Sequence, residues 1–338
     1  MKRILRYTCF VVLFCSFSLN AVIILTHGAF GEDQDWYQPG GAFYEAVNQT
    51  AQAFETPVIS FTWEQYLGGI THKERFRAGK ALAELVVDLT TQGETDIIFI
   101  GHSYGGHVVK VASQILAIGL GLQDGSRPII VPERGVDFDK TELDYFKDIC
   151  TEFKDYADKK NFKEIVQKRN FRNSMGRPGD FLIDHAYTLG TPNDIPDYFA
   201  SMDVVGCLYN FYSKGDWIQE MVGDRKLPEP KHDWAVNLEV RIKTGGFFNF
   251  ISCNKPGHMA LHAEVIGNWI LYIPFFLKEE NVGNFNKFTF NYDAQIKFSK
   301  KRPPIYTCKE IGLKNFDLFE TYNFEWLKNK IPLLKKLC

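Results

Sequence analysis

The segment DIIFIGHSYGGHVVKVASQIL, from Asp96 to Leu116, constrains the fold more than any other stretch. It opens with an apolar run of strand length and continues, directly after Gly105, in an apolar helical pattern. Between the two stands Gly101-His102-Ser103-Tyr104-Gly105. A chain that turns this abruptly from strand to helix needs glycine where the two backbones nearly touch, and the turn lifts the residue at its apex, Ser103, clear of the sheet. The first N–H groups of the helix then face the same spot, where a developing oxyanion would be stabilised. A G-x-S-x-G string arises by chance about one time in ten in a chain of this length. The strand before it and the helix after it therefore carry the weight, and a purely structural Gly-Ser turn is the alternative.

The rest of the chain repeats the rhythm. Ala21 to Thr26 (AVIILT) is a continuous apolar run too short for a helix, as in a strand buried on both faces of a parallel sheet. PVISFTW (57–63) reads as the next strand, and 74–91 places Ala78, Leu82, Leu85 and Leu89 at helical spacing. Strand character returns at 181–192, 203–213 and 238–244, and a helix is expected from Ala260 to about Ile270. Alternating strands and helices define an α/β fold with a doubly wound, mostly parallel sheet. Within 133–172, 20 of 40 residues are charged, with Leu143, Phe146, Cys150, Phe153 and Ala157 at three- and four-residue spacing. Amphipathic helices there would lie on a core, and the insertion 123–180 is expected to form a helical cap or lid. The domain organisation expected is a signal peptide over 1–20, a main domain over 21–284 and a C-terminal extension over 285–338, in which FTFNYDAQIKF would be a hairpin and 316–334 a helix.

Lys2, Arg3 and Arg6 precede an apolar run, with Ser16 and Ser18 offering a cleavage site, so export by a cleaved signal peptide is expected, an N-terminal membrane anchor being the alternative. A net charge of −2 gives no basic field for nucleic acid. The five cysteines outside the leader have no C-x-x-C spacing, and no disulfide is assigned. Lys328, Lys330, Lys335 and Lys336 among apolar residues suggest peripheral contact with an anionic membrane, against a plain solvated helix.

Four landmarks in order resemble the α/β-hydrolase superfamily, in particular serine lipases, esterases and lipid-anchor deacylases, over about 21–274. They are His27-Gly28-Ala29-Phe30 after the first strand, the segment TWEQYLGGITHKERFRAGKALAEL, the serine turn, and HAYTLGTP. The resemblance implies the α/β-hydrolase fold and a triad in the chain order Ser, acid, His. Ser103 would be the nucleophile, in an elbow framed by Gly101 and Gly105. Asp216, after a strand ending in Tyr-Ser, would be the acid, with Asp194, Asp197 and Asp203 as rivals. His258, after Gly257, would be the base, with His262 one helical turn on as rival. The backbone N–H groups of Ala29 and Tyr104 would form the oxyanion hole, Phe30 being the alternative to Ala29. His27 would brace its loop, and His102 and His107 would pack the elbow.

The implied activity is hydrolysis of a carboxylic ester, a lipid ester first, through an acyl-enzyme and without cofactor or metal. His258 and His262 have the i, i+4 spacing of a metal pair, but no H-E-x-x-H and no third ligand accompany them. The same triad would serve amides, thioesters or acyl transfer, and a non-catalytic binding protein on this fold is the remaining class.

Overall fold

The computed structural model describes residues 21–65, 68–69, 71–122, 140–168, 181–193, 199–222, 225, 235–244, 257–274, 287–293 and 307–313. The leader 1–20, Asp194, Asp197 and the segment 316–334 lie outside them.

Eight strands form one sheet: β1 (Ala21–Thr26), β2 (Val58–Phe61), β3 (Asp96–His102), β4 (Ile183–Leu189), β5 (Val205–Tyr212), β6 (Ala235–Thr244), β7 (Lys287–Asp293) and β8 (Thr307–Leu313). Their spatial order is β2-β1-β3-β4-β5-β6-β7-β8. Strands β1 to β7 pair in parallel, and β8 joins β7 antiparallel. The helices are α1 (Ala42–Gln52), α2 (His72–Gln92), α3 (Tyr104–Gly119), α4 (Lys140–Lys159), α5 (Phe162–Lys168), α6 (Trp217–Val222) and α7 (Glu264–Ile270).

Alternation along the strands divides the core in two. Val22, Ile24, Ile97 and Phe99 join Leu82, Val86, Val108 and Val111 of α2 and α3 on one face. Ile23, Leu25, Ile100, Tyr187 and Tyr209 join Phe43 and Val47 of α1 and Trp269 of α7 on the other. With helices on both faces, β1 and β3 have no solvent side, which is why their sequences are apolar except at their ends. This is the doubly wound sheet of an α/β-hydrolase fold.

Helix α2 starts at a capping box in which Thr71 accepts from the Glu74 N–H and Glu74 binds back, and it ends at Gly93 in the left-handed conformation. Helix α4 lays Phe146, Ile149, Cys150 and Phe153 onto the α2–α3 face, with the Phe146 ring 4.9 Å from that of Phe76. Segments 123–139 and 169–180 of the same insertion are outside the described residues.

Two expectations change. FTFNYD is one strand, β7, whose antiparallel partner is 307–313 and not its own continuation. The helix expected from Ala260 is broken: a 3-10 turn covers His258–His262, Ala263 is extended (φ −70°, ψ 150°), and only then does α7 begin. Cys150 and Cys207 are buried free thiols, and burial pushes the Cys150 thiol up to about 12.

Candidate active site

The carboxyl ends of β1, β3, β4 and β5 meet at one place. Ser103 caps β3 with φ 53° and ψ −129°, a conformation that costs a non-glycine residue about 1–3 kcal/mol and is held only by the packing around it. That packing is specific. A Cβ on Gly101 would stand 2.7 Å from the Gly105 carbonyl carbon, and one on Gly105 would stand 2.5 Å from the His27 oxygen. Both glycines are thus demanded by backbone contact. The Ser103 N–H is tied to the Leu189 carbonyl at the end of β4, at 2.8 Å.

Asp216 and His258, 42 residues apart in the chain, form a hydrogen bond: His258 Nδ1 donates to Asp216 Oδ2 at 2.8 Å, with both side chains buried. A proton on Nδ1 leaves Nε2 as the basic nitrogen. The other carboxylate oxygen, Oδ1, accepts the Gln219 N–H at 2.9 Å, so Asp216 caps α6 while it holds the imidazole. The Gln219 side chain in turn donates to the Thr191 carbonyl, fixing α6 to the loop after β4.

One short stretch brings pair and serine together. Leu189 accepts from Ser103, and Gly190, the next residue, has φ 60°; a Cβ there would meet Asp216 Oδ2 at 3.1 Å and His258 Nδ1 at 3.2 Å. Across the site, Gly28 touches Ser103, for a Cβ on it would lie 2.5 Å from Ser103 Cβ and 3.2 Å from Oγ. Ala29 follows directly. The Phe30 N–H is already spent on the Gly68 carbonyl at 3.0 Å, whereas the Ala29 N–H has no partner among the described residues. Tyr104 supplies the first N–H of α3.

Three histidines brace these loops. The Trp63 N–H donates to His27 Nε2 at 3.2 Å, which puts the His27 proton on Nδ1, from where it donates to the Gly28 carbonyl at 2.9 Å. The indole of Trp63 stacks on the same ring, and burial lowers the His27 pKa to about 4. His102 donates from Nε2 to the backbone carbonyl of His258 at 3.2 Å, linking the serine turn to the His258 loop; burial, then the neighbouring His262 and His258, hold it well below the usual histidine range. His107 donates from Nε2 to the Pro192 carbonyl and accepts from Arg75 Nη1 at 2.8 Å. Burial and then the Arg75 charge keep its pKa well below the usual value. The Arg75 guanidinium also covers the Tyr104 ring, 4.4 Å from its centroid.

Of the rivals, Asp203 is exposed and precedes the amino end of β5, whereas Asp216 follows its carboxyl end. His262 stacks on Trp36 with ring centroids 4.6 Å apart, and burial lowers its pKa to about 4. The residues that sequence reasoning missed are Leu189, Gly190, Gln219 and Arg75. Each acts through a contact that no local pattern encodes. No group of metal-ligating side chains occurs among the described residues.

The sheet, the helices on both faces and the strained serine turn are those of the fold of the α/β-hydrolase superfamily. Residues 19–123 match the model of a family in that superfamily described as "Putative serine esterase (DUF676)". The match spans β1 to the end of α3, hence Ala29, Ser103 and Tyr104; Asp216 and His258 lie beyond it. The activity it supports is serine-hydrolase chemistry of the esterase kind, in general terms. Among curated proteins, none matches the chain.

Proposed function

We propose that the protein hydrolyses a carboxylic ester, with Ser103 as nucleophile, His258 as general base and Asp216 as its orienting acid. The observation that carries this is the buried Asp216–His258 hydrogen bond beside a serine held at positive φ. The Ser103 hydroxyl proton passes to His258 Nε2 as Oγ attacks the acyl carbonyl, and the Ala29 and Tyr104 N–H groups receive the oxyanion. Collapse of the tetrahedral species transfers the proton to the leaving alcohol and leaves an acyl-Ser103 ester. Water, deprotonated by the same nitrogen, releases the acid and restores the hydroxyl. Asp216 keeps its negative charge throughout and stabilises the transient imidazolium.

A lipid ester is the substrate class we favour, because Phe30, an apolar side chain 71% exposed, stands next to Ala29. Export through the 1–20 leader belongs to the same proposal, and N-terminal sequencing of secreted protein tests it. For the chemistry, the expected result is covalent labelling of the wild type by a fluorophosphonate and none of Ser103→Ala, which also loses turnover of nitrophenyl esters by at least ~10⁴-fold. Labelling that survives Ser103→Ala would remove the nucleophile assignment. Labelling without ester turnover would move the substrate to an amide, a thioester or an acyl acceptor.

A further inference from the structure

Among the described residues, the large apolar side chains left in solvent are Phe30 at 71%, Leu122 at 53%, Trp217 at 62%, Met221 at 74% and Met259 at 49%. Leu122 lies beyond the far end of α3. Each of the other four belongs to a site loop: Phe30 follows Ala29, Trp217 follows Asp216, Met259 follows His258, and Met221 stands one helical turn after Trp217 on the same face of α6. Singly exposed apolar residues need no explanation, but concentration around one opening does.

Phe30 is also held outward. Its backbone has φ 52°, its N–H is bound to the Gly68 carbonyl, and its ring lies so close on Gly68 that a Cβ there would stand 1.9 Å from Cε1. The ring is a fixed projection and not a side chain that folds back into the core.

The charges around this rim choose the partner. In loops 28–38, 213–222 and 257–263, together with residue 225, the acids Glu32, Asp33 and Asp35 are exposed. The lysine and arginine of these segments are engaged, Lys214 with Glu239 at 3.2 Å and Arg225 with Glu220. An acidic collar repels an anionic surface, and among the described residues of these segments no lysine or arginine stands without an acidic partner to offset it.

We propose that Phe30, Trp217, Met221 and Met259 seat the mouth of the site on the surface of an uncharged or zwitterionic lipid aggregate, their side chains entering its apolar boundary. The inference rests on the functional reading above only for what the mouth contains. Partition needs no turnover, so the two are tested separately.

The experiment is flotation of wild type, Ser103→Ala and Trp217→Ser/Met221→Ser with phosphatidylcholine vesicles, and again with phosphatidylglycerol included. Thermal melts report whether each variant is folded, and a single Met221→Ser variant is carried in case the double one is not. Wild type and Ser103→Ala are expected to partition alike. The double variant should lose at least about tenfold and the single one a smaller share, since each replaced side chain withdraws apolar area from the lipid. Added anionic lipid should weaken partition. Equal partition of wild type and rim variants, partition only onto anionic vesicles, or no partition with self-association or protein binding through these residues would each overturn the proposal. Vesicle binding by a protein that no fluorophosphonate labels would keep the rim and overturn the hydrolase.

Discussion

At the carboxyl ends of β3, β4 and β5 the chain buries an aspartate against a histidine; at the amino ends of β3 and β4 it sets a buried aspartate against a half-buried one. Asp96 opens β3 and Asp184 stands second in β4, and their carboxyls share a hydrogen bond. Burial, then the neighbouring carboxylate, pushes Asp184 well above the ordinary aspartate range, and burial raises Asp96 as well. With Asp184 buried and Asp96 half-buried, the two carboxyls satisfy each other best by sharing a proton. In the Asp216–His258 pair, by contrast, donor and acceptor are of different kinds and the proton has one place to sit. The first arrangement stores a proton; the second, on the proposed function, keeps a base ready to take one. The sheet itself is indifferent to which is built at its ends, and the side chains decide.

If that contrast holds, substitutions at one end should change rate and at the other stability. Asp216→Asn is expected to lower kcat on a dissolved nitrophenyl ester by ~10⁴-fold, with a melting temperature close to wild type because asparagine still caps α6. A large loss of stability would mean that the pair holds the fold together and is not specialised for proton transfer.

The second test is acid. His27 and His262 have folded pKa values of about 4 against 6.5 for the free group. A folded value below the unfolded one means that the unfolded chain takes up protons first. Stability from this source is complete above pH 6.5 and falls away as pH drops toward 4. For the fully buried His27 the loss is on the order of 3 kcal/mol. Melting curves between pH 7 and 4 should fall steeply, and a flat profile would show that these rings are not buried neutral in solution.

The smallest effect belongs to the acid pair, and its sign is opposite. Raised carboxyl pKa values give stability that is fully present below the unfolded aspartate value and lost as pH rises. Asp184→Asn, which keeps a hydrogen-bonding partner without the proton, should melt a few degrees higher than wild type at pH 8 and show little gain at pH 4. Esterase turnover should not change. Equal melting shifts at both pH values would refute proton sharing.

Much of this was legible in the chain. Strands β1 and β3 announce themselves because burial on both faces removes every polar residue but those at the ends. The elbow could be read because close backbone approach admits so few residue types. Asp216 and His258 were reachable through resemblance, since an aspartate before a helix and a histidine after glycine look alike wherever they occur. The β7–β8 pairing was not legible: FTFNYDAQIKF carries strand character throughout, and only the three-dimensional register shows that 307–313 is the partner. Likewise, nothing local to TLGTP says that Gly190 will lie against a carboxylate and an imidazole from two other loops.

On the proposed function, the tie between Leu189 and Ser103, with Gly190 against the Asp216–His258 pair, would also make reactivity a clock for folding. The three chemical groups come from positions 103, 216 and 258, and they meet only after β3, β4 and β5 are in parallel register. Such long-range pairings form slowly, since the loops between them must close before any contact rewards the closure. In a refolding chain, helices α2 and α3 would be present early, while a serine-directed probe would find no activated target until the centre of the sheet had closed.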